Sequence, residues 1–317
     1  MLFRSYIMIL SVSKRTDIPR FYSPWFFNRI KEGFVIIRNP YNYNQVSRIK
    51  ITPDVVDCIV FWTKDPILMM DKLDLIKDYN YYFQFTITPY DKSIEENLRP
   101  KKDIINTFIE LSKKIGKEKV IWRYDPILIS DKYTLEYHKK LFNRMCELLS
   151  PYTDKCIISF LDEYKKVSKN VSASSIRYLT HDEMIVFGRE FSEIAKKYNL
   201  KIDTCAEEID LSMYGIGHSS CIDKDKIEEI TGYKFDKLKP LKQRSNCMCY
   251  ESIDIGQYDT CVNNCLYCYA TRNYELALKR FKGHNPDSAI LFGEYDEGLV
   301  KEKKVKSQSI NQIRLDI

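Results

Sequence analysis

"VDCIVFWTKDP", residues 56–66, carries an unbroken apolar run from Cys58 to Trp62, then turns polar at Thr63, Lys64 and Asp65. Successive strand side chains point to opposite faces, so a run apolar at every position is covered on both sides, the habit of strands in parallel sheets. The same grammar recurs in "YIMILSVSKRTD" (6–17), "YYFQFTITPY" (81–90), "KVIWRYDP" (119–126), "KCIISFLD" (155–162) and "KIDTCAEE" (201–208). Between these runs lie amphipathic stretches near 67–78, 103–116, 133–149 and 181–198, which read as helices. The last opens with Thr180 and Glu183, spaced as a capping box. Strands alternating with helices predict βαβ units, and six or more of them over about 200 residues predict an α/β fold built as a full or partial TIM-like (β/α) barrel.

Other segments depart from that grammar. "GFVIIRNPYNYNQVSRIKI" (33–51) reads as two extended pieces around an Asn/Pro turn, a hairpin beside the barrel. The chain divides into a β/α barrel body over 1–206 and an irregular, cysteine-bearing insertion over 207–250 with one short helix near 224–231. A strand, loop and helix over 251–291 complete the barrel, and 292–317 is expected to be a mobile, solvated tail.

Composition narrows the class of protein. A hydrophobic content of 44% and mixed charge belong to a globular chain and exclude a disordered one. The net charge of +6 suits an anionic ligand or nucleic acid without selecting either, and the 23 Tyr and 16 Phe serve core packing first. The N-terminal apolar run is broken by Ser13, Lys14 and Arg15, too short to span a bilayer, so a cytoplasmic protein without a membrane partner is expected. Ten cysteines in such a chain point to metal or redox chemistry before disulfides.

In a β/α barrel the C-terminal strand ends face the active site. Those ends carry Arg15, Asp17, Lys64, Thr86, Thr88, Arg123, Asp125, Asp162, Glu207 and Glu208. Period-two spacing places Arg123 with Asp125, and Gln84 with Thr86, on shared faces. Two readings follow: the charge pairs line a mouth for a zwitterionic or polar ligand, or each is a buried salt bridge fixing a strand end. Arg15, Asp17, Arg123 and Asp125 are the candidates for cofactor contacts, and Lys64, Gln84, Thr86 and Glu207 for substrate contacts.

"CVNNCLYCYA" (261–270) sets Cys261, Cys265 and Cys268 at Cys-x3-Cys-x2-Cys, with Tyr267 before the last. Thiolates select zinc or iron–sulfur, and a structural zinc site asks for a fourth ligand that this trio lacks. A second group, Cys205, Cys221, Cys247 and Cys249, supplies four thiolates, enough for a second iron–sulfur cluster or a zinc ion. His218, near Cys221, is an alternative ligand there. Cys58, Cys146 and Cys156 lie in apolar elements and read as packing residues, and His138 and His181 as surface or packing residues.

The trio with its aromatic resembles the cluster motif of radical S-adenosylmethionine enzymes. That resemblance implies a 4Fe–4S cluster held by Cys261, Cys265 and Cys268, whose open iron chelates S-adenosylmethionine, with Tyr267 near the adenine. It further implies reductive cleavage to a 5′-deoxyadenosyl radical, an electron donor of the flavodoxin or ferredoxin kind, and a full or partial β/α barrel. The chain as a whole resembles an uncharacterised bacterial and archaeal family of unknown function. The segments that carry this likeness are "SVSKRTDIPRFYSPWF" (11–26), "CIVFWTKDP" (58–66), "VIWRYDPIL" (120–128), "TCAEEIDL" (204–211) and "SIDIGQYDTCVNNCLYCYA" (252–270). In most radical S-adenosylmethionine enzymes the cysteine loop follows the first strand, whereas here it comes last. A circular permutation reconciles the two, with "SIDIGQY" (252–258) as the strand before the loop and "NYELALKRF" (273–281) as the helix after it. No Gly-Gly-Glu-like segment follows the first strand; Ser13 to Asp17 stand in its place.

Two other functions fit the same residues: an iron–sulfur protein that transfers electrons or senses redox state without S-adenosylmethionine, and a zinc-stabilised nucleic-acid-binding protein. The substrate, whether small molecule, peptide or nucleic acid, is not written in the sequence.

Overall fold

The structure is a computed structural model that describes residues 6–162, 175–241 and 246–309. Its strands are β1 (Tyr6–Ile7), β2 (Ile9–Val12), β3 (Phe34–Asn39), β4 (Asn42–Lys50), β5 (Cys58–Thr63), β6 (Tyr81–Thr86), β7 (Val120–Ile127), β8 (Lys155–Phe160), β9 (Lys201–Cys205), β10 (Gly217–Ser219), β11 (Ile253–Asp254), β12 (Val300–Lys303) and β13 (Val305–Lys306). The helices are α1 (Ile18–Phe21), α2 (Ser23–Glu32), α3 (Lys101–Ile115), α4 (Leu135–Leu149), α5 (His181–Lys197), α6 (Lys224–Thr231) and α7 (Tyr274–Lys282).

Eight parallel strands form one sheet in the order β10-β9-β8-β7-β6-β5-β2-β11. Sequence order and spatial order agree for seven of them. The exception is β11, which comes late in the chain but lies beside β2, with Ile253 opposite Leu10 and Asp254 opposite Ser11. No ladder joins β10 to β11 among the described residues.

The doubly apolar strands bury both faces, as their pattern requires. Leu10, Phe61, Phe83, Trp122 and Ile158 point one way and pack with Trp25, Phe26, Phe108, Phe142 and Phe191 of the helices. Ile9, Val60, Tyr82, Ile121 and Ile157 point the other way and meet Ile222, Ile227, Phe235 and Leu238 from the 207–250 segment. That segment is therefore the sheet's second cover and also lends it edge strand β10. Residues 242–245 of it lie outside the described residues.

Two expectations need correction. The stretch near 67–78 is a 3-10 segment, Ile67–Ile76, that buries only Met69, Leu73 and Ile76. The tail is not a solvated end as far as residue 309: β12 adds to the hairpin formed by β3 and β4, and β13 pairs with β1. Ser307 is buried and donates to Asp57 at 2.6 Å. Lysine-rich strands escape an apolar pattern because edge pairing uses backbone groups. Residues 310–317 of the expected tail lie outside the described residues. Thr180 and Glu183 form both bonds of the capping box. His138 is wholly buried, which settles it as a packing residue.

Candidate metal centre

The loop bearing Cys261, Cys265 and Cys268 leaves the C-terminal end of β11 and meets the loops that follow β2, β5 and β6. Its launch point is fixed by Asp254, which accepts from Ser11 Oγ and Ser13 Oγ at 2.6 Å each, and from the Lys14 and Gly256 amides at 2.8 and 2.9 Å. From the β2 side, Asp17 caps α1 by accepting from the Arg20 amide at 3.2 Å, and it also accepts from Asn263 Nδ2 at 3.2 Å and the Lys64 amide at 2.8 Å. Arg20 reaches Asn263 Oδ1 and donates to the Asn97 carbonyl at 2.6 Å. Asn97 Nδ2 in turn donates to the Val262 carbonyl at 3.0 Å. Asp17 and Arg20 thus hold the cysteine loop in place.

The centre of the contact is Glu95, buried in the loop after β6. Its backbone bridges that of Cys265. Its carboxylate receives Lys64 Nζ at 2.7 Å, Thr88 Oγ1 at 2.8 Å, Lys101 Nζ and the hydroxyl of Tyr267. Burial opposes the charge on Glu95, but the two lysines outweigh it and hold the carboxyl down at about 2. Lys64 also lies 5.4 Å from the Tyr267 ring centroid and within electrostatic reach of Cys265.

Burial pushes the Cys261 thiol up to about 12, with Cys268 and Asp17 adding to the rise. Burial likewise raises Cys265 well above the ordinary thiol range, Lys64 opposing and Glu95, Cys268 and Cys261 reinforcing. The three sulfurs therefore lie within electrostatic reach of one another, although among the described residues no three His, Cys, Asp or Glu side chains enclose a common metal position. Cys261 and Cys265 resist ionisation on their own, and a bound cationic centre would favour their thiolates, with Cys268 completing the donor set and a lysine beside Cys265. In that sense the residues fit an iron–sulfur cluster.

Arg123, Asp125, Gln84, Thr86 and Glu207 lie further along the sheet. Arg123 donates to Asp125 Oδ2 through Nε at 2.9 Å and through a terminal nitrogen at 2.5 Å, and its other terminal nitrogen reaches Gln84 Oε1 at 3.3 Å and Cys221 Sγ at 3.4 Å. Asp125 also accepts from Ser159 Oγ. The salt-bridge reading of Arg123 and Asp125 is thus realised. Gln84 is tied to the Cys221 carbonyl at 3.1 Å, and Thr86 ends β6 opposite Arg123. Glu207 accepts from the Phe160 amide at 2.9 Å, and burial pushes its carboxyl up to about 7, with Asp125 contributing. Arg15 makes a long contact to the Gly256 carbonyl at 3.4 Å and lies 5.4 Å from the Tyr258 ring centroid.

Sequence reasoning missed Glu95, Lys101, Asn97, Arg20 and Asn263. The pair of acids in "SIEENL" (93–98) gives no sign of which is buried, since the loop has no period to read.

A parallel α/β sheet covered on both faces, with a cysteine loop at its strand ends, defines the class. The chain belongs to the family described as "Domain of unknown function (DUF1848)", whose profile matches residues 9–270. A comparison with curated proteins found no match. Among solved structures, a putative alpha-L-fucosidase from Bacteroides thetaiotaomicron VPI-5482 is similar over 72% of this chain and 81% of its own, at 13% identity and a TM-score of 0.27, too distant to bear on fold or function. Among the described residues no helix is long and apolar enough to cross a membrane.

Proposed function

We propose that this chain is an iron–sulfur enzyme of the radical S-adenosylmethionine type, with Cys261, Cys265 and Cys268 as the cluster ligands. The observation that carries the reading is the placement of β11. The strand preceding the cysteine loop sits beside β2 at the sheet edge, so in space the loop follows the first strand of the series, as a permuted member of that class requires. The cluster and S-adenosylmethionine together would supply reductive cleavage of the sulfonium to a 5′-deoxyadenosyl radical. The chain's own part is to bind, orient and exclude water. Asp17, Arg20 and Asn97 hold the loop, while Glu95 fixes the Tyr267 hydroxyl and the Lys64 ammonium beside Cys265. Arg123 and Asp125, with Gln84, Thr86 and Glu207, offer polar groups at the strand ends for the rest of a ligand.

The test is anaerobic purification followed by reduction with S-adenosylmethionine present. Brown protein with iron and sulfide, yielding 5′-deoxyadenosine and methionine, is expected, and Cys265→Ala should lose most of the visible absorbance. Iron without nucleoside product would favour electron transfer, and a protein carrying zinc but no iron would end the proposal.

A further inference from the structure

Four of the remaining cysteines meet although they come from three separate segments. Cys205 closes β9, Cys221 follows β10, and Cys247 and Cys249 lie beyond α6. The sulfurs of Cys205 and Cys221 are 3.2 Å apart. Cys249 Sγ accepts the Cys221 amide at 3.3 Å, and its thiol lies within interaction distance of both Cys221 and Cys247. Cys205, Cys247 and Cys249 are buried, and Cys221 is half-buried.

Packing alone does not call for this. Small apolar side chains would fill the same space, whereas four thiols in one contact chain concentrate the softest donors available to a protein. The segment they fasten is held to the sheet by Tyr82 and Gln84, which donate to the Cys221 carbonyl at 2.8 and 3.1 Å, and by apolar contacts. Between β9 and β11 the regular elements among the described residues are one 3-10 turn, the three-residue β10 and the eight-residue α6, and the segment packs on Ile9, Val60, Tyr82, Ile121 and Ile157 of the sheet. Charge is provided for as well, because the buried guanidinium of Arg123 lies 3.4 Å from Cys221 Sγ.

From this geometry we infer that Cys205, Cys221, Cys247 and Cys249 form a structural zinc site, separate from Cys261, Cys265 and Cys268, that staples the covering segment to the end of β9. Zinc is chosen over a second iron–sulfur cluster on size. Tetrahedral zinc with thiolates at about 2.3 Å separates the sulfurs by about 3.8 Å, near the 3.2 Å between Cys205 and Cys221, whereas ligands of a cubane sit much further apart. Among the described residues no three of these side chains yet enclose a common metal position, so binding would spread Cys205 from Cys221 by about half an ångström and turn the remaining thiols toward the ion.

The experiment separates this site from the catalytic proposal. A variant with Cys261→Ala, Cys265→Ala and Cys268→Ala, purified anaerobically and freed of loose metal, should retain about one zinc per chain. Adding Cys221→Ser and Cys249→Ser should abolish it. Should those further variants not fold, cobalt titration of the triple variant gives an independent readout, with the intense visible bands of tetrahedral thiolate cobalt expected. A folded triple variant that takes up no zinc, one that carries iron and sulfide instead, one with a Cys205–Cys221 disulfide under reducing anaerobic conditions, or only weak octahedral cobalt bands would each overturn the assignment.

Discussion

Glu95 and Cys265 bridge each other through their backbones, so the carboxylate that gathers Lys64, Lys101, Thr88 and Tyr267 is also tied to a cysteine of the metal-binding loop. One side chain in the loop after β6 thereby couples the position of a candidate ligand to a buried charge network.

Replacing Glu95 by Gln keeps the shape but leaves two ammonium groups facing each other without their counter-charge. Removing one partner of a buried ion network leaves uncompensated charge, which costs roughly 3 kcal/mol. The expected outcome is a urea midpoint lowered accordingly and iron content reduced several-fold. Glu95→Gln combined with Lys64→Met should recover part of the stability, since the two changes act on one network. Unchanged stability and full iron in Glu95→Gln would show the network to be idle.

Arg123→Lys is expected to fold and to melt lower, by the equivalent of about 1–3 kcal/mol, because an ammonium cannot reproduce the forked contact to Asp125 while also reaching Gln84. If the side chain also binds a ligand, the affinity of the folded variant for S-adenosylmethionine should fall more than tenfold, equal to about 1.4 kcal/mol. Calorimetric titration beside a melting curve separates the two, and an unaltered melting temperature would contradict the structural role.

Gly256→Ala tests the junction of β2 and β11. A Cβ there would lie 2.0 Å from Ser13 Oγ and 2.6 Å from Ser13 Cβ, and Ser13 cannot yield freely because its hydroxyl is committed to Asp254. Overpacking of this kind costs about 1–3 kcal/mol. A melting temperature matching that of the unmodified chain would show that the junction opens without cost.

What the sequence disclosed follows from what leaves a local mark. The sheet strands were readable because burial on two faces imposes apolar residues at successive positions, as in Cys58 to Trp62. Strand β12 left no such mark: "VKEK" pairs through its backbone on an edge, with only Val300 lending a partly buried apolar side chain. The cysteine trio was readable because its ligands are adjacent in sequence. Glu95 was not, since its role comes from lysines 31 residues before and 6 residues after it, brought together only by folding. His138 likewise gave no clue that its helix position faces a sealed core.

That histidine yields the last prediction. His138 Nδ1 sits 2.7 Å from the Tyr124 hydroxyl and Nε2 sits 2.9 Å from the Leu128 carbonyl. A carbonyl only accepts, so Nε2 carries the proton and Nδ1 accepts from the tyrosine. Burial lowers the imidazole from 6.5 to about 4, outweighing the contrary pull of the Leu128 carbonyl. With the folded pKa depressed, the native state gains from a neutral ring above the unfolded pKa and loses that gain as pH falls through the folded one. The window runs from pH 6.5 down to about 4, and at 1.36 kcal/mol per pKa unit the loss is about 3 kcal/mol. Carboxylates begin to titrate at the lower end, so the comparison must be differential. His138→Gln removes the titrating group, and its stability relative to the unmodified chain, measured by urea unfolding at intervals across that window, should rise as the pH is lowered. A constant difference between the two proteins across the window would mean that His138 is not held neutral by its surroundings.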